Sequence, residues 1–358
     1  MKLLHTADWH LGKTLKGQNL LDDQKFIIDE IFSVINDEKP DAILISGDIY
    51  DRAVPPPDAV ELFNETLNRF AEKNLKTLII SGNHDSATRL NFGSKLFRSK
   101  NIFIGAKIAD EPENIVLEDN FGEIYFSLIP FVDSEKISEI ILSARKKIPK
   151  NKRSVALAHA FLTGGEESES ERKFVGGSGN VSAEIFANYN YVALGHLHKP
   201  QKISAENIKY AGSPLKYSFD EVNHKKSVTI IDIFSSGEVK TKEIPLIPQK
   251  NLIVVEGKFN ELINRSKTED YAQIILTDDF YVYETELLRN SFPNFLEIKR
   301  KNHLHSYEDD KTTNFHKEDT ISEQFSKFFE AVTSEKLTND EKTAFEEILK
   351  ELEQEDRE

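Results

Sequence analysis

Carboxylates, imidazoles and one amide recur directly after short apolar runs. KLLHT is followed by Asp8 and His10, DAILISG by Asp48, and LIISG by Asn83 and His84. SVALA runs into His159, and YVALG into His196 and His198. Imidazole, carboxylate and amide oxygen together suit borderline-to-hard first-row ions such as manganese, iron or zinc. The seven donors Asp8, His10, Asp48, Asn83, His159, His196 and His198 are too many for one ion with an open position. They suit two ions about 3.5–4 Å apart, bridged by a shared carboxylate, the arrangement that serves phosphoryl displacement. Asp48 stands between the other donors in chain order and follows Gly47, which permits close approach, so it is the expected bridge. Each piece alone has a plainer reading. Gly82-Asn83 is a common turn dipeptide, and a single histidine such as His159 after apolar residues is often a satisfied core residue. Five repeats of one strand-then-donor pattern in a single chain argue against coincidence.

Something must bring these residues together, and the periodicity indicates what. Residues 1 to about 105 alternate short apolar strands with helices. Asp22 to Asn36 has Phe26, Ile27, Ile31, Val34 and Ile35 at helical spacing; Pro57 to Asn74 has Val60, Leu62, Phe63, Leu67 and Phe70 as its apolar face. This βαβαβ rhythm predicts a layered α/β (α+β) core of mixed sheets flanked by helices. In an extended segment residues i and i+2 share a side, so Asp8/His10 and His196/His198 are each expected to point into one site. Strands dominate from about 113 to 247, interrupted at 164–182 by a Gly-, Ser- and Glu-rich loop containing Gly176-Gly177-Ser178-Gly179. The expected units are 1–247 for the core and 250–300 for a small β-α-β-α-β domain. A polar linker over 301–319 and helices within 320–358 follow. Ile321, Phe325, Phe328 and Phe329, then Phe345, Ile348 and Leu352, form the apolar stripes of those helices. Thr338 with Glu341 fits a capping box between them. From periodicity alone this helical tail is expected to fold back on its own chain.

The composition narrows the classes. The net charge of −15 argues against electrostatic capture of DNA or anionic membranes by the chain as a whole. There is no cysteine, hence no thiolate metal site. No apolar run approaches the roughly 18 residues of a membrane span, and the start turns polar too early for a signal peptide, so a cytoplasmic location is expected. No G-x-x-x-x-G-K-[ST] occurs, so any ATP dependence is expected to come from a partner.

The motifs DWH, GDIYD, GNHD and GHLH together resemble the signature of the calcineurin-like metallophosphoesterases. HTADWHLGK, GDIYDRAVPP, SGNHDSATRLNFG, ALGHLHKPQ and YAGSPLKYSFDE resemble most closely the bacterial DNA nuclease branch of that family, whose members act with a coiled-coil ATPase. The match runs from Met1 to about residue 245 and continues more weakly beyond. The resemblance implies two manganese ions, one on Asp8, His10, Asp48 and His198 and the other on Asp48, Asn83, His159 and His196. It implies that His84 binds no metal and either protonates the leaving oxygen or steadies the scissile phosphate, with Asp85 orienting it. It further implies a DNA-capping role for 250–300, docking of 320–358 on the ATPase coiled coil, and a homodimer within a heterotetramer. A small phosphodiesterase, or a non-catalytic scaffold on the same core, is the rival reading. Arg52, Arg89, Lys95, Arg98, Lys199 and Lys202 are candidate phosphate contacts. Trp9, between two donors, is expected to pack behind the site.

Overall fold

The run Lys2–Thr6 forms a strand near the middle of a six-stranded sheet. Ala42–Ser46, Lys76–Ile80 and Ile102–Gly105 follow it on one side, all parallel. Ser227–Ile233 and Val239–Pro245 complete the other side as antiparallel partners. A second six-stranded sheet has Gly122–Ile129, Arg153–His159, Tyr191–Gly195 and Ala205–Tyr210 in parallel, with an antiparallel strand at each edge. The computed structural model describes residues 1–107, 114–132, 134–171, 181–278, 282–301, 320–333 and 336–355. The run Gly176 to Gly179, and all of the 301–319 linker except Lys301, lie outside the described residues.

The two sheets pack face to face. Leu3, Leu44, Leu78 and Ile80 of one meet Phe126, Val155, Leu157 and Tyr191 of the other. The helices Leu21–Glu38 and Pro57–Glu72 cover the outer face of the first sheet through Ile27, Ile31, Phe32, Phe63 and Phe70. The helix Ser134–Lys146 covers the second through Ile137 and Ile141. Strands buried on both faces are continuously apolar rather than alternating, which explains why AILIS and YVALG contain no polar residue before their ends. Pro57 opens its helix, where a missing N–H costs nothing. One expected core residue of that helix is displaced: Val60 is exposed, and Ala59 and Thr66 are buried instead.

The segment after Pro248 forms a separate sheet of three parallel strands, Leu252–Gly257, Tyr271–Leu276 and Phe295–Arg300. A one-turn helix Phe259–Leu262 and a 3-10 helix Val282–Asn290 join them. Val255, Phe259, Ile274, Leu288 and Phe292 give it a core of its own. It docks on the larger unit where the buried Tyr271 hydroxyl donates to Asp23 Oδ2 at 2.8 Å and Lys16 pairs with Glu297 at 2.8 Å. The last described helices, Ile321–Thr333 and Asn339–Glu355, pack on each other, with the Phe325 ring stacked on Phe345 at 3.8 Å. Capping boxes start both: Thr320 with Glu323, and Thr338 with Glu341. No helix among the described residues is long and apolar enough to cross a membrane.

Candidate metal centre

The donor-bearing strands run parallel within each sheet, so their C-terminal ends share one edge of the molecule. Lys2–Thr6, Ala42–Ser46 and Lys76–Ile80 deliver Asp8 with His10, Asp48, and Asn83 with His84. Arg153–His159 ends on His159, and Tyr191–Gly195 leads into His196 and His198. Open α/β sheets place their sites at such an edge.

The i, i+2 pairs reach the site by a different route from strand alternation. Asp8, His10, Asp48 and His196 all have positive φ, at 55°, 46°, 49° and 108°. They lie beyond their strand ends, in a region that costs a non-glycine residue of order 1–3 kcal/mol. Tertiary bonds hold them there. Asp8 N–H donates to the Gly47 carbonyl and His10 N–H to the Asp48 carbonyl, at 3.0 and 2.9 Å. His196 N–H donates to Asp8 Oδ1 at 2.9 Å, and His84 N–H to Asp48 Oδ1 at 2.8 Å. A Cβ on Gly47 would lie 2.3 Å from His159 Nδ1, so the Asp48 loop and His159 can approach only with glycine there.

Asp48 Oδ2 is 3.6 Å from His10 Nε2 and 3.5 Å from His159 Nε2. Beyond His10, His198 Nε2 lies 3.0 Å from its Nε2. Beyond His159, Asn83 Oδ1 lies 2.9 Å from His159 Nε2 and 2.9 Å from His196 Nδ1. The structure thus brings all seven expected donors together, in two groups that meet at one carboxylate oxygen. By distance, Asp8 groups with Asp48 and His159, their donor atoms lying within 4.8 Å of one another.

Divalent cations fit this chemistry. Asp8 is fully buried, and its Oδ2 accepts no hydrogen bond. Burial pushes its carboxyl well above the usual carboxylate range. Burial also opposes charge on Asp48, but His159, then His10 and His84, more than offset that and hold it well below the usual range. Burial lowers His10 and His198, and brings His196 down to about 3, so these rings are neutral and present lone pairs. Burial opposes charge on His159, but Asp48 and then Asp8 more than offset that and carry it up to about 9. Its Nδ1 proton goes to the Ser46 carbonyl at 2.9 Å, and a second proton on Nε2, toward Asp48, is the one a bound cation would replace. A buried carboxyl oxygen that accepts no hydrogen bond, beside the ionised Asp48 and the neutral rings of His10, His196 and His198, is a donor set for cations, which would stabilise Asp8 in its ionised form.

His84 also has a ring nitrogen within 4.8 Å of His10 and Asp48 donor atoms, so distance alone does not set it apart from the ligands. Its Nδ1 meets the Asp51 carbonyl at 2.7 Å, and its ring stands edge-to-face on His10 at 4.6 Å. The group found aiming this ring is therefore a backbone carbonyl. Asp85, expected to orient His84, has other partners. Its carboxylate accepts N–H groups from Ile49, Tyr50 and Gly82 at 3.1, 2.9 and 2.9 Å, tying the Asp48 and Asn83 loops together. Burial and the nearby Asp48 carry its carboxyl up to about 6.

Asp51 ends the GDIYD motif and Glu221 the YAGSPLKYSFDE motif, but neither had a role assigned from sequence, and Glu171 and Lys226, which join Glu221 behind His198, lie outside the motifs. Glu171 Oε1 accepts the His198 N–H at 2.6 Å, and Glu221 pairs with Lys226 at 2.6 Å. Trp9 packs behind the site, its indole N–H donating to Thr6 Oγ1 at 2.9 Å. Among the candidate phosphate contacts, Lys199 pairs with Glu166 and Lys202 with Glu206, while Arg52, Arg89, Lys95 and Arg98 are exposed.

A family model described as calcineurin-like phosphoesterase matches residues 1–200. A Staphylococcus epidermidis protein, named as the SbcD subunit of the nuclease SbcCD, is 33% identical over 321 residues, covering 83% of this chain and 85% of its own. The protein of the same name from Staphylococcus saprophyticus is 30% identical and covers 98% of each chain. Among solved structures, TT1561 of Thermus thermophilus aligns with 68% of this chain and 98% of its own, at 12% identity and a TM-score of 0.42.

Proposed function

The chain belongs to the calcineurin-like phosphoesterase family, whose members are metal-dependent phosphoesterases, and from that premise we propose that it is a two-metal DNA nuclease of the SbcCD type. The observation that carries the two-metal reading is Asp48 Oδ2, near-equidistant from His10 Nε2 and His159 Nε2 at 3.6 and 3.5 Å. In this proposal Asp48 is the bridge. His10 and His198 would complete one site and Asn83, His159 and His196 the other. Asp8, which the resemblance gives to the first, lies by distance with Asp48 and His159, so in this proposal it reaches the first site across Asp48. The native ions are manganese, which this oxygen- and imidazole-rich, thiolate-free set accommodates.

Bound there, two divalent ions supply Lewis-acid stabilisation of a phosphodiester and activation of water near neutral pH. The chain's own residues do the rest. His84 protonates the departing sugar oxygen, its Nδ1 held by the Asp51 carbonyl. Asp85 binds neither ion and keeps the Asp48 and Asn83 loops in register.

The activities proposed are double-strand exonuclease and single-strand or hairpin endonuclease, in DNA end processing, repair and recombination, in the cytoplasm at the nucleoid. Residues 1–247 are the nuclease domain and 250–300 the DNA cap. Residues 301–319 are a linker, and 320–358 dock on the coiled coil of an SbcC-type ATPase. The exposed Ile321, Phe328 and Ile348 on the paired helices support that docking, because an apolar face in water favours a partner. The homodimer within a heterotetramer is proposed from the resemblance, and the exposed apolar side chains Phe92, Leu96 and Val60 are surface that a second copy would cover.

The proposal is tested by a manganese-dependent cleavage assay on linear and hairpin DNA, with and without the ATPase and ATP. A chain lacking 320–358 is expected to retain cleavage and to lose co-purification. Preference for a chromogenic diester over DNA would favour the alternative, a small phosphodiesterase on the same fold. Fewer than one bound ion per chain, with no manganese-stimulated cleavage, would sink the nuclease reading.

A further inference from the structure

His198 faces His10 through Nε2, 3.0 Å from His10 Nε2, and meets Ser170 Oγ through Nδ1 at 2.6 Å. The Ser170 hydroxyl donates in turn to Glu221 Oε1. A hydroxyl has one proton to give. With that hydrogen bond given to the carboxylate, Ser170 Oγ accepts from His198, and Glu221 Oε1 itself lies 3.3 Å from the same Nδ1, so both partners call for a ring proton there. Glu221 is wholly buried, and its other oxygen is held by the buried ammonium of Lys226 at 2.6 Å. Lys226 also donates to the His198 carbonyl at 2.7 Å and to Ser213 Oγ at 2.8 Å. The backbone N–H of His198 is taken by Glu171 Oε1 at 2.6 Å. His198 is therefore gripped at its ring, its N–H and its carbonyl by residues that supply no donor to the metal centre.

We infer that Ser170 and Glu221 are positioning residues, a relay that sets the His198 tautomer with Nδ1 protonated and Nε2 free to bind a metal ion. This rests on the two-metal reading above. At most one proton lies between the facing Nε2 atoms of His10 and His198, and the relay keeps it off His198. Ser170 belongs to the Gly-, Ser- and Glu-rich loop over 164–182, to which composition assigns no chemical role. Carboxylate partners of ligating histidines fix the ring and raise its basicity, and their loss typically costs 10–100-fold in metal affinity.

The test uses the full chain. Histidine-selective 15N labelling, in chelator, reads the His198 tautomer through long-range couplings, with the signal assigned by its loss in His198→Gln. The relay requires the Nδ1–H form; an Nε2–H form overturns it. Manganese titration, by calorimetry and by ion stoichiometry, is then compared between the wild type and Glu221→Gln. Affinity at one class of site is expected to fall about 10–100-fold, with the other class unchanged. Where Glu221→Gln does not fold, Ser170→Ala leaves the Glu221–Lys226 pair and the direct 3.3 Å contact of Glu221 with His198 Nδ1 in place, and is expected to weaken the same class by less. Folded variants that bind both ions as the wild type does would refute the relay. Absence of manganese binding by the wild type would refute the two-metal reading instead, and the tautomer result would still stand.

Discussion

The Nε2 atoms of His10 and His198, residues 188 positions apart, face each other across 3.0 Å. One follows a strand of the first sheet and the other a strand of the second, so the pair exists only when the two sheets are packed. Two neutral imidazoles directed at each other share at most one proton, and the Asp48 carboxylate stands 3.6 Å from His10. On the two-metal reading, His10→Ala removes one donor from this group and leaves a cavity beside Tyr217. Metal and activity are expected to fall together, cleavage at limiting manganese by at least about 100-fold, the upper end of what losing a supporting partner costs. Ion stoichiometry and initial rates on one preparation check this. Two ions per chain with activity lost would move His10 out of the ligand set.

His84 is expected to behave in the opposite way. Its Nδ1 is bonded to the Asp51 carbonyl, and its ring packs against His10 without completing either donor group of the proposal. His84→Ala is expected to keep both ions and to lower turnover by about 10²–10⁴-fold, the range for a missing general acid. Stoichiometry with single-turnover rates separates the cases. Loss of an ion would make His84 a ligand, which its nitrogen within 4.8 Å of His10 and Asp48 makes a real alternative.

The strands and their ends were legible in the sequence for a physical reason. Ile43, Leu44 and Ile45 are buried on both faces of a parallel strand, so the first carboxylate after them has to stand at the sheet edge. The left-handed backbone at Asp8, His10 and Asp48 had no such signal. Bonds between the Asp8 and Asp48 loops impose it, and local preference opposes it. Asp51 aims His84 with a carbonyl that every residue possesses, so no residue type marks it. Glu171 meets a backbone N–H 27 positions further on, a contact that only the folded loop creates. Val60 shows the limit of periodicity, which identifies an apolar stripe but not how much of it the sheet covers.

Gly82 separates steric need from chemistry. A Cβ there would lie 2.1 Å from Asp48 Oδ1 and 2.4 Å from Asp48 N, so backbone has to move. Gly82→Ala is expected to cost about 1–3 kcal/mol of stability, as overpacking does, and to reduce ion occupancy by displacing Asp48. Urea unfolding in chelator isolates the first effect, and manganese titration reads the second. Wild-type stability with two bound ions would mean that the loop relaxes freely.

At the sheet end away from the metal centre, Asp119 takes a two-pronged bond from Arg153, at 2.9 and 2.6 Å, and Arg153 also donates to the Gly122 carbonyl at 2.8 Å. The Arg153 guanidinium holds the Asp119 carboxyl well below the usual carboxylate range. A depressed folded value gives stability that is fully present above the unfolded value of about 3.9 and is lost as pH falls toward the folded one. Asp119→Asn is expected to cost about 1.5–3 kcal/mol at pH 7, the range for a hydrogen bond to a charged group. Urea unfolding of both proteins should show that difference unchanged down to about pH 4.5 and shrinking below about pH 3.9. A difference that already shrinks between pH 7 and about pH 5 would assign the loss to another group, because Asp119 stays ionised over that whole interval in both the folded and the unfolded chain.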